Sequence, residues 1–438
     1  MTYDTFSTIR AAASSTRLAT PQSATPSSHL RAPSPSSPTS SSRPSRPSRR
    51  AVVGAALAGA AALTAFGPAR TATAAAPRRL RPPVSPTPLP PLDTEALRAA
   101  IGDLAHPEAT GAQLRVSGSA GRWYDTAGVA DRASGRPIRE HDAFRIGSIT
   151  KVFVATVILQ LAAEHRLVLD APVQRHLPGL LPAAFPAISV TQLLNHTSGL
   201  PDETGDGVPD LSTPEAVVRH RYDRWTPEQL VSQVSHGSMK FDPGSKQEYR
   251  GINYVLLALL IERLTGRRYG EAITDRILSP LGLRQTSLPG RDPRIHGPHI
   301  HGYLRMTDGR MVDITDYDQT SAWGEGEMIS TIGDLERFQT ALFSGMLLPR
   351  PILERMFTLP DGVRMVDGTP ARFGAGLQTV TVNGITLWGK TGERYGYSSF
   401  MVATRDQRRR VVFTFNPTHR DATQSQMTLR VAEALTKG

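Results

Sequence analysis

Ser148-Ile149-Thr150-Lys151 sets a hydroxyl and an amine three positions apart, and on a helix such a pair shares one face. A serine is a poor nucleophile until a base takes its proton, and a lysine serves when burial or a second cation lowers its pKa. The residues that follow, Phe153, Val154, Val157, Ile158, Leu159 and Leu161, make this helix apolar nearly all round, which predicts a central position. A lysine there needs a reason, and a serine one turn away supplies it. The helix start adds free backbone N–H groups near any developing anion.

Two further segments extend the pair. Tyr249 follows Phe241-Asp242-Pro243-Gly244 and stands just before an apolar helical pattern, and Lys390-Thr391-Gly392 follows Leu387-Trp388-Gly389 on a predicted strand. Alone, Tyr249 reads as a buried, hydrogen-bonded tyrosine; within the spaced set it becomes a candidate proton carrier.

The set resembles the serine β-lactamase and penicillin-binding family, which uses Ser-x-x-Lys and Lys-Thr-Gly elements. Within it the chain is most similar to secreted actinomycete D-alanyl-D-alanine carboxypeptidases and class C β-lactamases. Phe144 to Lys151, Leu193 to Leu200 and Tyr254 to Gly266 carry the likeness, which spans roughly Leu92 to Leu435. The resemblance implies that Ser148 attacks a carbonyl and forms an acyl-enzyme. Lys151 and Tyr249 share the proton transfer, with either as the base. Lys390 raises the local positive potential and helps attract a carboxylate, on a substrate-binding strand with Thr391, Gly392 and Glu393. The backbone N–H groups of Ser148 and Glu393 would form an oxyanion hole, and Trp323 one wall of the cleft. Neither cofactor nor metal is implied.

Three departures bear on substrate. The family's Tyr-Ser-Asn is here Tyr249-Arg250-Gly251, losing an asparagine that helps hold the lysine and the substrate amide. The arginine that clamps a terminal carboxylate is replaced by Gln378, after Gly374-Ala375-Gly376-Leu377. Glu393 stands where a small hydroxyl residue usually follows Lys-Thr-Gly, and an acid there opposes carboxylate binding.

The elements that must position these residues are legible in outline. Asp93 caps a helix through Leu97, Ile101 and Leu104, and Gln113–Ser117 with Trp123–Gly128 reads as a hairpin. Helical spacing recurs over Thr191–Asn195, Thr226–Val234, Asn253–Leu264, Gly270–Ile277 and Thr331–Ser344, with a short hairpin over His299–Met311. Strands are predicted at Phe373–Val380, Ile385–Trp388, Ser399–Thr404 and Val411–Phe415, with a closing helix through Met427, Val431 and Leu435. Strands at both ends and helices between predict an α/β, β-lactamase-like fold: an antiparallel sheet flanked by terminal helices, with a mainly helical inserted subdomain.

The 438 residues carry a net charge of +11, but residues 1–76 hold eight arginines against Asp4. The remainder has 42 basic and 38 acidic residues and no basic stripe with interleaved aromatics, which argues against nucleic-acid binding. Ser48-Arg49-Arg50, the apolar run Ala51–Phe66 and Ala72-Thr73-Ala74-Ala75-Ala76 predict a twin-arginine-like export leader over 1–76. That run is short for a membrane span, so a secreted, extracytoplasmic protein with no span after cleavage is expected. Residues 77–91 form a Pro-rich linker and 92–438 the hydrolase domain. The absence of cysteine excludes disulfides and thiolate chemistry.

His296, His299 and His301 read as polar turn residues rather than metal ligands, His196 as a turn residue, and Arg408-Arg409-Arg410 as a solvated hairpin tip. The leading expectation is a D-Ala-D-Ala carboxypeptidase-like enzyme on cell-wall peptides, with small peptides or β-lactams as ligands and peptidoglycan as a partner. The alternatives are an esterase or D-amino-acid amidase on the same scaffold, and a non-catalytic recognition module.

Overall fold

The computed structural model describes residues 88–204 and 208–437; the predicted leader and most of the linker lie outside them. The elements that frame the site are α1 (Thr94–Gly102), β1 (Ala109–Ser117), β2 (Trp123–Asp131), β3 (Arg136–Pro137), α2 (Thr150–Ala163), α3 (Ile252–Thr265) and α4 (Ile332–Phe343). They are followed by β4 (Gln378–Val382), β5 (Ile385–Arg394), β6 (Tyr397–Ala403), β7 (Arg410–Pro417) and α5 (Ser425–Thr436). As predicted, Asp93 caps α1, its Oδ1 accepting from the Ala96 N–H at 2.9 Å.

Side chains alternate across a strand, so a strand buried at every position must be covered on both faces. β6 is buried throughout, and β7 from Val411 onward. Phe400, Val402, Val411, Phe413 and Phe415 face α1 and α5, where Leu97, Ile101, Met427, Val431 and Leu435 meet them. Met401, Ala403 and Val412 face the larger core around α2 and α3. The sheet runs β4-β5-β6-β7-β1-β2-β3 with antiparallel neighbours, so strands from both chain ends meet where β7 pairs with β1. The helical part is inserted between them, giving the β-lactamase-like architecture expected.

Two local expectations are corrected. The strand predicted to begin at Phe373 begins at Gln378. Gly374 and Gly376 serve close packing instead: a Cβ on Gly374 would lie 2.3 Å from the Met356 carbonyl, and one on Gly376 2.4 Å from the Ala155 Cβ in α2. Arg409 is not at a solvated tip but fully buried. Its Nη1 donates to the Leu435 carbonyl at the end of α5 (2.6 Å) and its Nη2 to the Ala120 carbonyl (3.1 Å), satisfying acceptors the ladder leaves open.

Among the described residues, no helix is long and apolar enough to cross a membrane.

Candidate active site

Ser148 lies in a single 3₁₀ turn, Gly147–Ile149, that leads directly into α2. Gly147 has φ 51°, a conformation that costs a side-chain-bearing residue, and it aims the turn at the sheet. The ladder between β4 and β5 ends at Gln378 opposite Gly389. Past that point the Ser148 turn takes β4's place beside β5. The fit leaves no room for a methyl group. A Cβ on Gly147 would stand 2.5 Å from the Glu393 nitrogen, and one on Gly392 would stand 1.9 Å from the Ile146 carbonyl and 3.1 Å from the Ser148 nitrogen. The backbone nitrogens of Ser148 and Glu393 are thereby held close together on facing backbones.

Lys151 is completely buried in the first turn of α2, and its Nζ donates to Ser148 Oγ at 3.1 Å. Two more acceptors come from one residue that sequence reasoning missed: Nζ also donates to the Glu325 carbonyl at 2.6 Å and to Glu325 Oε2. Three acceptors match the three N–H groups of an ammonium. Burial pushes the lysine below its ordinary pKa while the Glu325 charge opposes that fall. Burial alone would raise the Glu325 carboxyl, but the Lys151 ammonium holds it below the usual range. Glu325 is placed by its neighbours. Ile146 N–H donates to the Met328 carbonyl at 3.0 Å, Phe144–Arg145 pairs with Ile329–Ser330, and Gly324 (φ 73°) lets the turn press on α3.

Gly251, where the family's asparagine is missing, opens onto the same spot. A Cβ there would stand 2.7 Å from Glu325 Oε2. Asn253 does not fill the gap: it accepts from Ser198 Oγ at 2.8 Å and points its amide towards His196.

Tyr249 joins the cluster, its ring centre 5.2 Å from Lys151 Nζ and 4.5 Å from Lys390 Nζ. His196 backs it at 4.6 Å between ring centres and also packs on Tyr254 and Phe373. The Arg250 N–H donates to His196 Nδ1 at 3.2 Å. Burial, then Lys151, Lys390 and Arg250, push its pKa well down, so the ring stays neutral. His196, read from the sequence as a turn residue, stands in the site itself as a buried ring behind Tyr249. Gln247 fastens the approach to Tyr249: its Nε2 donates to the Asn195 and Phe373 carbonyls, and its Oε1 accepts from Arg372 N–H.

Lys390 shares the face of β5 that carries Trp388, towards α2, and its Nζ donates to Gln378 Oε1 at 2.8 Å. Thr391 is buried beside it. Glu393 is half-buried and pairs with Ser398 across β5 and β6. Trp323 is half-buried, edge-on to Tyr269 at 4.7 Å, two residues before Glu325. The histidine loop stands apart, with His296 on Asp292 and His301 on Asp313; acids are nearer these rings than the sequence suggested. Among the described residues no three metal-ligating groups cluster.

An antiparallel sheet closed by both chain ends, with a serine–lysine turn docked on a strand edge, defines the serine hydrolases of β-lactamase fold. The chain belongs to the beta-lactamase family, whose model matches residues 96–436. It is 26% identical to a penicillin-binding protein of Bacillus subtilis over 342 residues, 75% of this chain and 72% of that one. It is 32% identical to esterase EstB of Burkholderia gladioli over 201 residues, 43% of this chain and 50% of that one. The crystal structure of a D-stereospecific amidohydrolase from a Streptomyces species superposes with a TM-score of 0.69 at 34% identity. That match covers 79% of this chain and 99% of the other.

Proposed function

We propose that this protein is an acyl-transferring serine hydrolase of small D-amino-acid amides or esters, with Ser148 as the nucleophile. The observation that carries the reading is the 3.1 Å contact between Ser148 Oγ and Lys151 Nζ in a turn pressed against β5. Attack by Oγ forms the bond to the substrate carbonyl carbon, and the oxygen takes up charge beside the N–H groups of Ser148 and Glu393. The Ser148 proton passes through Lys151 and Tyr249 to the leaving amine or alcohol, and water then releases the acyl group.

Amide or ester cleavage is favoured over carboxypeptidase action by Lys390. Its ammonium bonds to Gln378, where the resemblance calls for an arginine clamp, and Glu393 follows three residues on. The Streptomyces amidohydrolase and the Burkholderia esterase support the same choice. A D-Ala-D-Ala carboxypeptidase-like activity is the second reading, favoured by the intact Lys390-Thr391-Gly392 strand and the Bacillus relative. Export rests on the leader alone.

The test is a rate comparison on D- and L-phenylalanine amide, a p-nitrophenyl ester and an acyl-D-Ala-D-Ala peptide, with penicillin labelling mapped by mass spectrometry. Turnover of the D-amide or the ester, abolished in Ser148→Ala, supports the reading. A stable penicillin adduct on Ser148 with turnover of the peptide alone would move the assignment to the carboxypeptidase.

A further inference from the structure

Gly251 and Glu325 form a complementary pair. The asparagine that the resemblance places at position 251 is absent, and a carboxylate from 74 positions downstream stands where its side chain would begin. That carboxylate is bonded to Lys151, and Lys151 to Ser148. The chain Ser148 Oγ, Lys151 Nζ, Glu325 Oε2 has the order nucleophile, proton carrier, anionic partner.

Resting on the acyl-transfer reading of Ser148, we infer that Glu325 is a positioning residue that takes a proton from Lys151, so that Lys151 can accept the proton of Ser148. With all three N–H groups of Lys151 donating, the ammonium has no lone pair for Ser148. The inferred step moves the Lys151 proton to Glu325 Oε2, leaving a neutral amine and a neutral carboxyl. The amine then takes the Ser148 proton as Oγ bonds to the substrate carbon and the carbonyl electron pair moves to oxygen. The Lys151 ammonium passes that proton through the Tyr249 hydroxyl to the leaving amine or alcohol as its bond to carbon breaks, and Glu325 returns its own proton to Lys151. Atoms and charge balance without an outside base.

The charged groups around the pair are Lys390 and Arg394 from β5 and Glu203 from the loop after Leu200, with the rings of Tyr249 and Tyr254 over Nζ at 5.2 and 5.7 Å. Lys390 and Arg394 add positive charge on the Glu325 side of the pair, and Glu203 adds negative charge on the Lys151 side. The partner bonded to Glu325 Oε2 is the Lys151 ammonium.

The experiment is the acylation rate of the full chain with a p-nitrophenyl ester from pH 4 to 10, for the parent, Glu325→Gln, Glu325→Asp and the double variant Glu325→Ala with Gly251→Asn. In the parent the acid limb follows Glu325, so acylation is already near its plateau at neutral pH. Glu325→Gln leaves only deprotonation of Lys151 to free the amine. Its limb should move at least one unit to higher pH, to the titration of a Lys151 amine that burial lowers and no Glu325 charge holds up, with KM changing little. Glu325→Asp should restore the acid limb at lower amplitude. The double variant refills the space with a neutral amide and should keep the alkaline limb, which provides the readout should Glu325→Gln misfold. A Glu325→Gln enzyme with the parent limb and a rate within threefold overturns the inference. Labelling of the parent by a fluorophosphonate separates the two failures: a labelled Ser148 with an unshifted profile removes only Glu325, whereas an unlabelled, inactive parent removes the acyl-transfer reading and this inference with it.

Discussion

Lys390 and Gln378 are joined across neighbouring strands, the lysine Nζ donating to the glutamine Oε1 at 2.8 Å. The contact holds the ammonium at the end of the β4–β5 ladder, near Tyr249. A cation already bonded to an amide is less available to a substrate carboxylate, and Glu393 lowers the potential on the same strand. Gln378→Arg should therefore raise kcat/KM on an acyl-D-Ala-D-Ala peptide by about tenfold, roughly 1.4 kcal/mol of transition-state binding, with little change on an uncharged ester. Equal gains on both substrates would show that position 378 does not read the carboxylate.

Glu393→Thr addresses the same question from the other side. Removing the acid should improve turnover of substrates ending in a free carboxylate, by about three- to tenfold if the two charges are within about 6 Å. Identical rates for parent and variant across carboxylate and amide substrates would place the side chain outside the substrate site.

Ser148, Lys151, Tyr249 and Lys390 were all legible from type and spacing, and the structure gathers them into one cluster. The antiparallel sheet and its covering helices were legible because the outer helices α1 and α5 keep a 3.6 period, while α2 and the late strands read as apolar-rich runs bounded by turn residues. Glu325 was not. Its contact with Lys151 spans 174 positions and depends on a left-handed Gly324 turn, neither of which leaves a periodic trace. Arg409 was misread because an arginine triplet between strands is commonly solvated, whereas here open carbonyls at the end of α5 and at Ala120 draw one of the three inward. The start of β4 was misplaced because glycines at 374 and 376 serve contacts with Met356 and α2, which only the folded chain reveals.

Gly392 faces the Ile146 carbonyl so closely that a Cβ would sit 1.9 Å away, against the backbone of Ile146 and Ser148. Gly392→Ala must push β5 away from the Ser148 turn. Stability should fall by about 1–3 kcal/mol, as for overpacking elsewhere. Activity should fall further, by about a hundredfold or more in kcat, because the Ser148 and Glu393 nitrogens separate. Steady-state rates and urea midpoints on the same variant decide it. A full loss of stability with activity per folded molecule unchanged would remove β5 from the oxyanion site.

Lys151→Ala leaves the Glu325 carboxylate beside a cavity without the ammonium it is bonded to, and with only Arg394 and Lys390 acting on it from β5. Acylation should drop below detection, while the fold survives at a cost of about 1–3 kcal/mol, since Glu325 retains some solvent contact. Removing Glu325 as well should return part of that stability, giving a favourable coupling of about 0.5–3 kcal/mol in a double-mutant cycle. Burst kinetics retained in Lys151→Ala would take the lysine out of the reaction.

Glu327 supplies a test of the same turn through pH. It is buried, accepts from the Tyr269 hydroxyl and lies near the Gly324 N–H, and burial pushes its carboxyl up to about 8 from 4.5. At pH 6 the folded protein therefore holds a proton that the unfolded chain has released. The unfolded state binds fewer protons over this window, so stability falls as pH rises from about 4.5 to about 8, at about 1.4 kcal/mol per unit, and levels off above it. Glu327→Gln keeps an acceptor for Tyr269 and cannot ionise. Its urea midpoint should lose less between pH 5 and 8 than the parent's, and the two curves should run parallel above pH 9. Parallel curves across the whole range would mean that Glu327 is ionised in the fold, and the Tyr269 hydroxyl would then be bonding to a carboxylate.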